Sequence, residues 1–472
     1  MTDGTVWTSA DVAAATGGRA VGRWATTGVS IDSRAIDPGD LFVALQGERS
    51  DGNAYAGDAL RRGAAAAMVS RADALPKTAP GIVVYDTQRA LEDLGRAGRA
   101  RSSAKVVAVT GSVGKTGTKE MLGLALGALG PTAYSVRSFN NHIGVPLTLA
   151  RLPKDCAFAV CEIGMNHPGE IDALTRQVRP HVAIITTVEP AHLAFFPSVE
   201  AIADAKAEIF HGMAGGTAIL NRDNAHFDRL AAAARASGVS RIIAFGADER
   251  ADVRLTSYET EAGRSLVEAT VAGKAVAYAL GVEGRHWAMN SLAALAAVDA
   301  LGGSVEAASR ALVKMTAPKG RGARHRLDWT DGTLLLIDDS YNASPAAMRA
   351  AFTVLGAAEV GEGGRRIAAL GDMRELGATS ADLHAGLAEA IIAAGIDLVF
   401  TVGPEMENLH AALPAERRGS HAETAEALAP VLVESLRAGD AVLVKGSLTT
   451  RMGAVVEALQ KAGRKEPCRH AL

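Results

Sequence analysis

The sequence predicts an α/β protein of three domains. A central doubly wound, mostly parallel P-loop sheet is flanked by a small N-terminal α/β domain and a C-terminal Rossmann-like α/β domain. Three observations predict it. Short apolar runs of strand length alternate with helix-length segments along most of the chain, the pattern of parallel strands joined by helical crossovers. A glycine-bearing turn, Thr110-Gly-Ser-Val-Gly-Lys-Thr116, joins one such run to a helical segment. The length of 472 residues suits roughly three domains of ordinary size. The expected boundaries are 1–103, 104–320 and 321–472.

Composition narrows the class. Apolar residues make up 48% of the chain and charged ones 21%, enough to fill large cores in water. A formal net charge of −3 gives no basic field for nucleic acid or an anionic membrane. Cys156, Cys161 and Cys468 form neither a metal-ligand spacing nor an even disulfide framework, which fits a reducing cytoplasm. The start, Met1-Thr-Asp-Gly-Thr5, lacks a basic stretch followed by an apolar one, and no run approaches a bilayer span. A cytoplasmic monomer acting on small molecules is expected, with no nucleic-acid partner and no membrane insertion.

In the first domain, residues 29–34 read as a strand ending in polar groups, 37–40 as a turn and 41–45 as the next strand. Residues 54–62 suit a helix, 64–69 and 82–85 strands, and 90–102 a helix leading into the central domain. There a strand at 106–109 precedes the glycine turn, and a helix opens at Lys115-Thr116. Strands at 158–162, 182–188 and 217–220 follow, with helices at 170–178 and 198–210. Alternation of apolar and polar residues over 253–280 predicts appended antiparallel strands, and 290–301 is helical. Gly320-Arg-Gly-Ala-Arg-His-Arg326 is a basic, glycine-rich break that reads as the second linker. Strands at 333–337, 366–370, 398–402 and 441–444 then rebuild a sheet, and a polar fringe at 461–470 follows.

The glycine turn carries the clearest chemistry. Backbone N–H groups over residues 110–116 and the open helix end converge on one point, where the helix dipole favours an anion. Lys115 supplies a full charge for outer phosphates and Thr116 a hydroxyl placed for Mg²⁺. Val109 stands where the full phosphate-loop pattern has a further glycine, so this is a shortened G-x-x-G-K-T loop. The plain alternative is an ordinary strand–helix turn. Ligands of open parallel sheets sit at the carboxyl ends of strands. Glu162 ends one strand and would hold Mg²⁺ beside Thr116, and His192 follows the next strand as a further ligand; either also suits a cap or surface group. Asp338-Asp339-Ser340 closes an apolar strand and suits hydroxyls or a cation, while Lys445-Gly-Ser447 is a second candidate anion site. Both serve equally well as plain loops. By pattern, Asn290 is a helix N-cap, Lys206 a solvated helix lysine, and Asn140-Asn-His-Ile-Gly-Val-Pro146 a polar turn before an apolar helix. No G-x-S-x-G or Cys/His pairing marks a nucleophile.

As an ordered set these motifs resemble the Mur ligase family across all three domains. The match rests on Asp32-Ser-Arg34, the 39–47 segment, the phosphate loop, Asn140–Pro146, Glu162-Ile-Gly-Met-Asn-His-Pro-Gly-Glu170 and Ala191-His192. It continues through Ala205-Lys-Ala-Glu208, His286-Trp-Ala-Met-Asn290, Asp338-Asp-Ser-Tyr-Asn-Ala-Ser-Pro345 and Gly371-Asp-Met-Arg-Glu-Leu-Gly377. The resemblance implies ATP-dependent amide ligation through an acyl phosphate, with D-alanyl-D-alanine joined to a UDP-N-acetylmuramoyl-tripeptide. It implies that Glu162 and His192 bind magnesium and that Lys206 is carbamylated. Asn290, Asp339 and a linker arginine would hold the nucleotide; Arg326 is preferred, with Arg321 and Arg324 close enough in sequence to leave the choice open. Ser33 and Arg34 would contact the UDP sugar, Asn140 and Asn141 the substrate, and Asn342 and Lys445 the peptide end.

Two departures stand out. Asp51-Gly-Asn-Ala-Tyr55 replaces the family's frequent Asp-Gly-His-Asp-Phe, and the Asp-Asn-Pro-Arg motif of the diaminopimelate-adding relatives is missing. The rivals are a diaminopimelate- or lysine-adding ligase, a folylpolyglutamate synthase, and a non-catalytic nucleotide-binding module.

Overall fold

The computed structural model describes residues 4–47, 50–135, 138–261 and 263–463; Cys468 and most of the 461–470 fringe lie outside them. The described strands form sheets of two, five, nine and six strands.

The nine-stranded sheet is the centre of the molecule. Lys105–Thr110 lies between Phe158–Glu162 and Val182–Ile185, parallel to both. The chain first goes to the edge strand Thr132–Tyr134, returns to place Phe158–Glu162 between it and Lys105–Thr110, then crosses to Val182–Ile185, Thr217–Asn221 and Arg241–Gly246. Strand order therefore reverses beside Lys105–Thr110, and the ligand crevice of a doubly wound sheet opens at that reversal. Val253–Glu261 continues the sheet, and the hairpin of Arg264–Val271 and Lys274–Leu280 adds two antiparallel strands, as the alternating pattern predicts. Helices Lys115–Gly127 and Arg285–Ala300 bury one face over Val107, Val109, Ile184 and Ile219. Helices Glu170–Val178 and Val199–Ala207 cover the other over Val106, Ala108 and Ile185.

In the N-terminal unit a five-stranded sheet runs in the order Arg19–Val21, Gly81–Val83, Ala66–Val69, Asp40–Val43, Gly28–Ser30. The strand predicted over 29–34 stops at Ser30. Asp32 ends it by accepting the Arg34 N–H at 3.0 Å on its carboxylate, a side-chain turn that competes with the ladder. The predicted 90–102 helix is Thr87–Arg101, started by Asp86, which accepts the N–H groups of Gln88 and Arg89. This helix packs closely on Gly144–Ala150 of the central unit: a Cβ on Gly98 would lie 2.2 Å from the Leu149 carbonyl oxygen. Trp7 Nε1 donates to Ala150 O at 2.7 Å, and Arg151 Nε to Val29 O at 2.5 Å.

The C-terminal sheet runs Ala323–Trp329, Gly332–Asp339, Ala441–Lys445, Arg366–Gly371, Leu398–Val402, Arg418–Ala422. Only Ala323–Trp329 is antiparallel. Half of the segment read as a linker is therefore strand, because residues 323–326 pair with the apolar strand Gly332–Asp339. The chain crosses between units through residues 315–322.

Candidate active site

The phosphate loop is clamped from below. Ser112 N donates to Thr187 O at 2.9 Å, and Ser112 Oγ donates to Glu189 O at 3.0 Å. Thr186 Oγ1 donates to Val113 O at 2.5 Å. These residues follow the strand Val182–Ile185, which ends earlier than the predicted Val188 because its backbone turns to hold the loop. Gly111 and Gly114 both have positive φ, and a Cβ at Gly111 would meet Thr186 Oγ1 at 1.9 Å. Only glycine fits there. Lys115 Nζ donates to Gly111 O at 2.6 Å and Ser112 O at 3.3 Å. Burial lowers its pKa, with Glu162 acting in the opposite direction.

A cavity of about 1240 Å³ opens over this loop and is lined by groups from all three units. Ser112, Val113, Gly114, Lys115 and Thr116 form its floor; Thr110 and Gly111 lie beneath and do not line it. Thr116 Oγ1 donates to Glu162 Oε1 at 3.2 Å, and Asn140 Nδ2 donates to the same oxygen at 2.8 Å. Glu162 Oε2 is buried without a partner. A buried carboxylate oxygen left unpaired costs stability, so this one suits a cation. Ser138 Oγ lies 3.2 Å from Thr116 Oγ1 and accepts from Arg321 at 3.0 Å. An unbroken chain of contacts thus runs from Arg321 through Ser138 and Thr116 to Glu162.

Several sequence readings need correction. Asn290 is no N-cap: its helix is Arg285–Ala300, beginning five residues earlier than Asn290. Its Oδ1 would lie 2.7 Å from a Cβ on Gly114, so the amide abuts the loop. Lys206 is buried rather than solvated, and burial followed by the Lys115 charge holds its pKa well below the lysine range; it lies behind the cavity wall. Arg326 is exposed and faces a separate cleft, as does Arg324, which is paired with Glu283. Arg321 is the linker arginine in the large cavity, stacked 4.2 Å from the Tyr341 ring centroid.

Other predicted residues divide between the cavity and its surroundings. Asn141 lines it, but its Oδ1 caps the N–H groups of Ile143 and Gly144. Asp339, Asn342 and Lys445 line its far wall, where Lys445 Nζ donates to Asp339 Oδ2 at 2.7 Å and Asn342 O at 2.8 Å. Burial raises the Asp339 pKa, while Lys445 lowers it. Ser33 and Arg34 stand outside the cavity, with Arg34 exposed and paired to Asp32 at 2.9 Å. His192 lines the cavity and hydrogen bonds through Nδ1 to Glu375. No group of three or more His, Cys, Asp or Glu side chains gathers at metal-binding distance among the described residues. A cation here would therefore draw on the Thr116 hydroxyl as well as on carboxylate.

Sequence reasoning missed Ser138 and Thr186, and gave no role to Glu375 or to His286, which entered only as parts of matched motifs. His286 is exposed at the cavity, where the surrounding protein and then the Lys445 charge lower its pKa.

Comparison with known proteins agrees with this geometry. Family models match in series: the Mur ligase family catalytic domain over residues 25–99, the Mur ligase middle domain over 109–298 and the Mur ligase glutamate ligase domain over 325–448. The UDP-N-acetylmuramoyl-tripeptide–D-alanyl-D-alanine ligase of Escherichia coli (strain K12) is 38% identical over 441 residues, covering 92% of this chain and 94% of its own. The enzyme of that name from Rickettsia prowazekii is 32% identical over 433 residues, covering 92% and 95%. A crystal structure of MurF from Acinetobacter baumannii superposes with a TM-score of 0.81 at 31% identity, covering 96% of this chain and 99% of that one. MurF ligase from Thermotoga maritima in complex with ADP gives 0.77 at 28% identity, covering 93% and 98%. With all three units matched in order and relatives 32–38% identical over 92% of the chain, the chain belongs to the Mur ligase family.

Proposed function

We propose that the chain is an ATP-dependent amide ligase that joins D-alanyl-D-alanine to UDP-N-acetylmuramoyl-tripeptide. The observation that carries this reading is the cavity itself, where the loop and Lys115 lie beside the partnerless oxygen of Glu162 and residues of all three units converge. The relatives named for this activity match 92% of the chain, and one structural relative holds ADP. In the reaction, a tripeptide carboxylate oxygen bonds to the γ-phosphorus of ATP and ADP leaves. The dipeptide amine then attacks the acyl carbon and inorganic phosphate departs, with the amine's proton lost to solvent or base.

Each unit takes one share of that work. Residues 1–103 would hold the UDP sugar through Ser33 and Arg34, 104–320 most of the nucleotide, and 321–472 the dipeptide end through Asn342 and Lys445 together with part of the nucleotide. Lys115 neutralises phosphate charge, Asn290 and Asp339 hold the nucleoside, and Asn140 orients the carboxylate of Glu162. Arg321 takes the place of Arg326. Thr116, Glu162 and His192 would hold Mg²⁺, which supplies charge neutralisation between the phosphates. Burial and then the Lys115 charge disfavour the ammonium form of Lys206, which favours the neutral amine that carbon dioxide carbamylates.

The test is phosphate release from ATP with the UDP-tripeptide, with and without D-alanyl-D-alanine. Release that requires the dipeptide supports the reading; release indifferent to it, or none, overturns it. Lys115→Ala should abolish ligation and leave UDP-sugar binding intact, and loss of that binding would refute the division between units.

A further inference from the structure

We propose that Glu375, supplied by the C-terminal unit, is a positioning residue for His192 of the central unit: its carboxylate fixes the imidazole's orientation and tautomer, so that the C-terminal unit completes the metal–phosphate site. Two loops from different sheets meet here. One follows Val182–Ile185 in the nine-stranded sheet, the other follows Arg366–Gly371 in the six-stranded sheet. They join by side chain and by backbone. His192 Nδ1 hydrogen bonds to Glu375 Oε2, and Ala194 N donates to Glu375 O at 2.9 Å. A Cβ on Gly377 would lie 3.4 Å from Ala194 Cα, so the second loop continues along the first.

The backbone at this junction is unusual on both sides. His192 has φ +60° and Glu375 φ +62°, a left-handed conformation uncommon outside glycine, which His tolerates better than most side chains and Glu does not. Two such residues bonded across a unit boundary are retained against that strain, and strain of this kind clusters where function needs a fixed geometry. A half-exposed ion pair is too weak to account for it: the two side chains are 25% and 39% exposed, the range in which such pairs contribute little. Tautomer control accounts for it. With Nδ1–H committed to Glu375, Nε2 would be left bare as the ligand atom of a residue that lines the cavity, and a carboxylate behind an imidazole raises its strength as a metal ligand. What His192 holds rests on the ligase reading above; how it is held does not.

The experiment separates the two. In metal-free protein, long-range ¹H–¹⁵N spectra read the His192 tautomer, assigned by its absence in His192→Asn. Titration with Mn²⁺ by electron paramagnetic resonance reads affinity. Wild type should show the Nδ1–H form alone. Glu375→Ala should show a mixture and bind Mn²⁺ about 10–100-fold more weakly, with UDP-sugar binding unchanged. Glu375→Gln, whose amide oxygen still accepts from Nδ1–H, should restore most of both readouts. An unchanged tautomer and unchanged Mn²⁺ affinity in Glu375→Ala would overturn the proposal, as would equal losses in a folded Gln variant. A tautomer that shifts although no variant binds Mn²⁺ supports the positioning role and counts against the metal reading of the site.

Discussion

Thr116 donates its hydroxyl hydrogen to Glu162 Oε1 across 3.2 Å, while Oε2 of the same carboxylate is buried with no partner. The fold thus carries a half-satisfied acid at the carboxyl end of a central strand. Such a group costs stability when nothing binds it. Glu162→Gln keeps the acceptor for Thr116 and Asn140 and removes the charge. In metal-free buffer its Tm should rise by roughly 2–4 °C, the shift that about 1 kcal/mol produces in a domain of this size. ATP-dependent phosphate release should fall by on the order of a hundredfold or more. A lower Tm, or retained turnover, would refute this account of the carboxylate.

Lys206 sets a pH dependence. Its folded pKa lies well below that of an ordinary lysine, because burial and then Lys115 disfavour the charge. Between that lowered value and the unfolded value near about 10.4, the unfolded chain binds a proton that the folded chain does not. Stability therefore rises with pH through that window and levels off above it. Urea unfolding of Lys206→Met in carbon-dioxide-free buffer should lose this slope. Lys206→Ala should lose ligation that short carboxylic acids partly restore, and full activity without them would exclude carbamylation.

Arg321 and Arg326 should separate cleanly in steady-state kinetics. Arg321 reaches the phosphate-loop side through Ser138, and a hydrogen bond to a charged group contributes about 1.5–3 kcal/mol. Arg321→Ala should raise KM for ATP by about tenfold or more. Arg326, exposed on its strand, should tolerate Ala with little change.

Gly98 tests the joint between the first two units. Alanine is the better helix former by about 0.5–1 kcal/mol, but the added Cβ would press on the Leu149 carbonyl at 2.2 Å. Overpacking of that kind costs about 1–3 kcal/mol, so Gly98→Ala should lower Tm. Gly127→Ala, with nothing within 4 Å of the new Cβ, should not.

Local patterns made the sheets legible. Helix Glu170–Val178 and strands Phe158–Glu162 and Leu398–Val402 have the predicted ends, because each apolar run meets a turn residue where its face stops being buried. The short edge strand Thr132–Tyr134 and the hairpin strand Ala323–Trp329 were not legible, since mixed polarity and arginines conceal a ladder that only the neighbouring strand supplies. The site divided in the same way. Lys115, Thr116 and Glu162 follow from position at strand ends. The burial of Lys206 and the choice of Arg321 over Arg326 depend on which side of a helix or hairpin meets a different unit, and no local pattern carries that.

The joint at Gly98 also decides where the molecule can bend. The first unit is bound to segment 140–151 by the Gly98 contact and Gln88 Nε2 donating to His142 O at 2.8 Å from helix Thr87–Arg101, and by Trp7 donating to Ala150 O and Arg151 to Val29 O elsewhere in that unit. That segment begins with Asn140, which holds the carboxylate of Glu162. The first two units are therefore one lever with the sugar end and the phosphate end in fixed relation. A swing of the third unit would pass through residues 315–322, and Arg321 lies on that pivot, so a nucleotide bound as proposed would be gripped by the hinge itself.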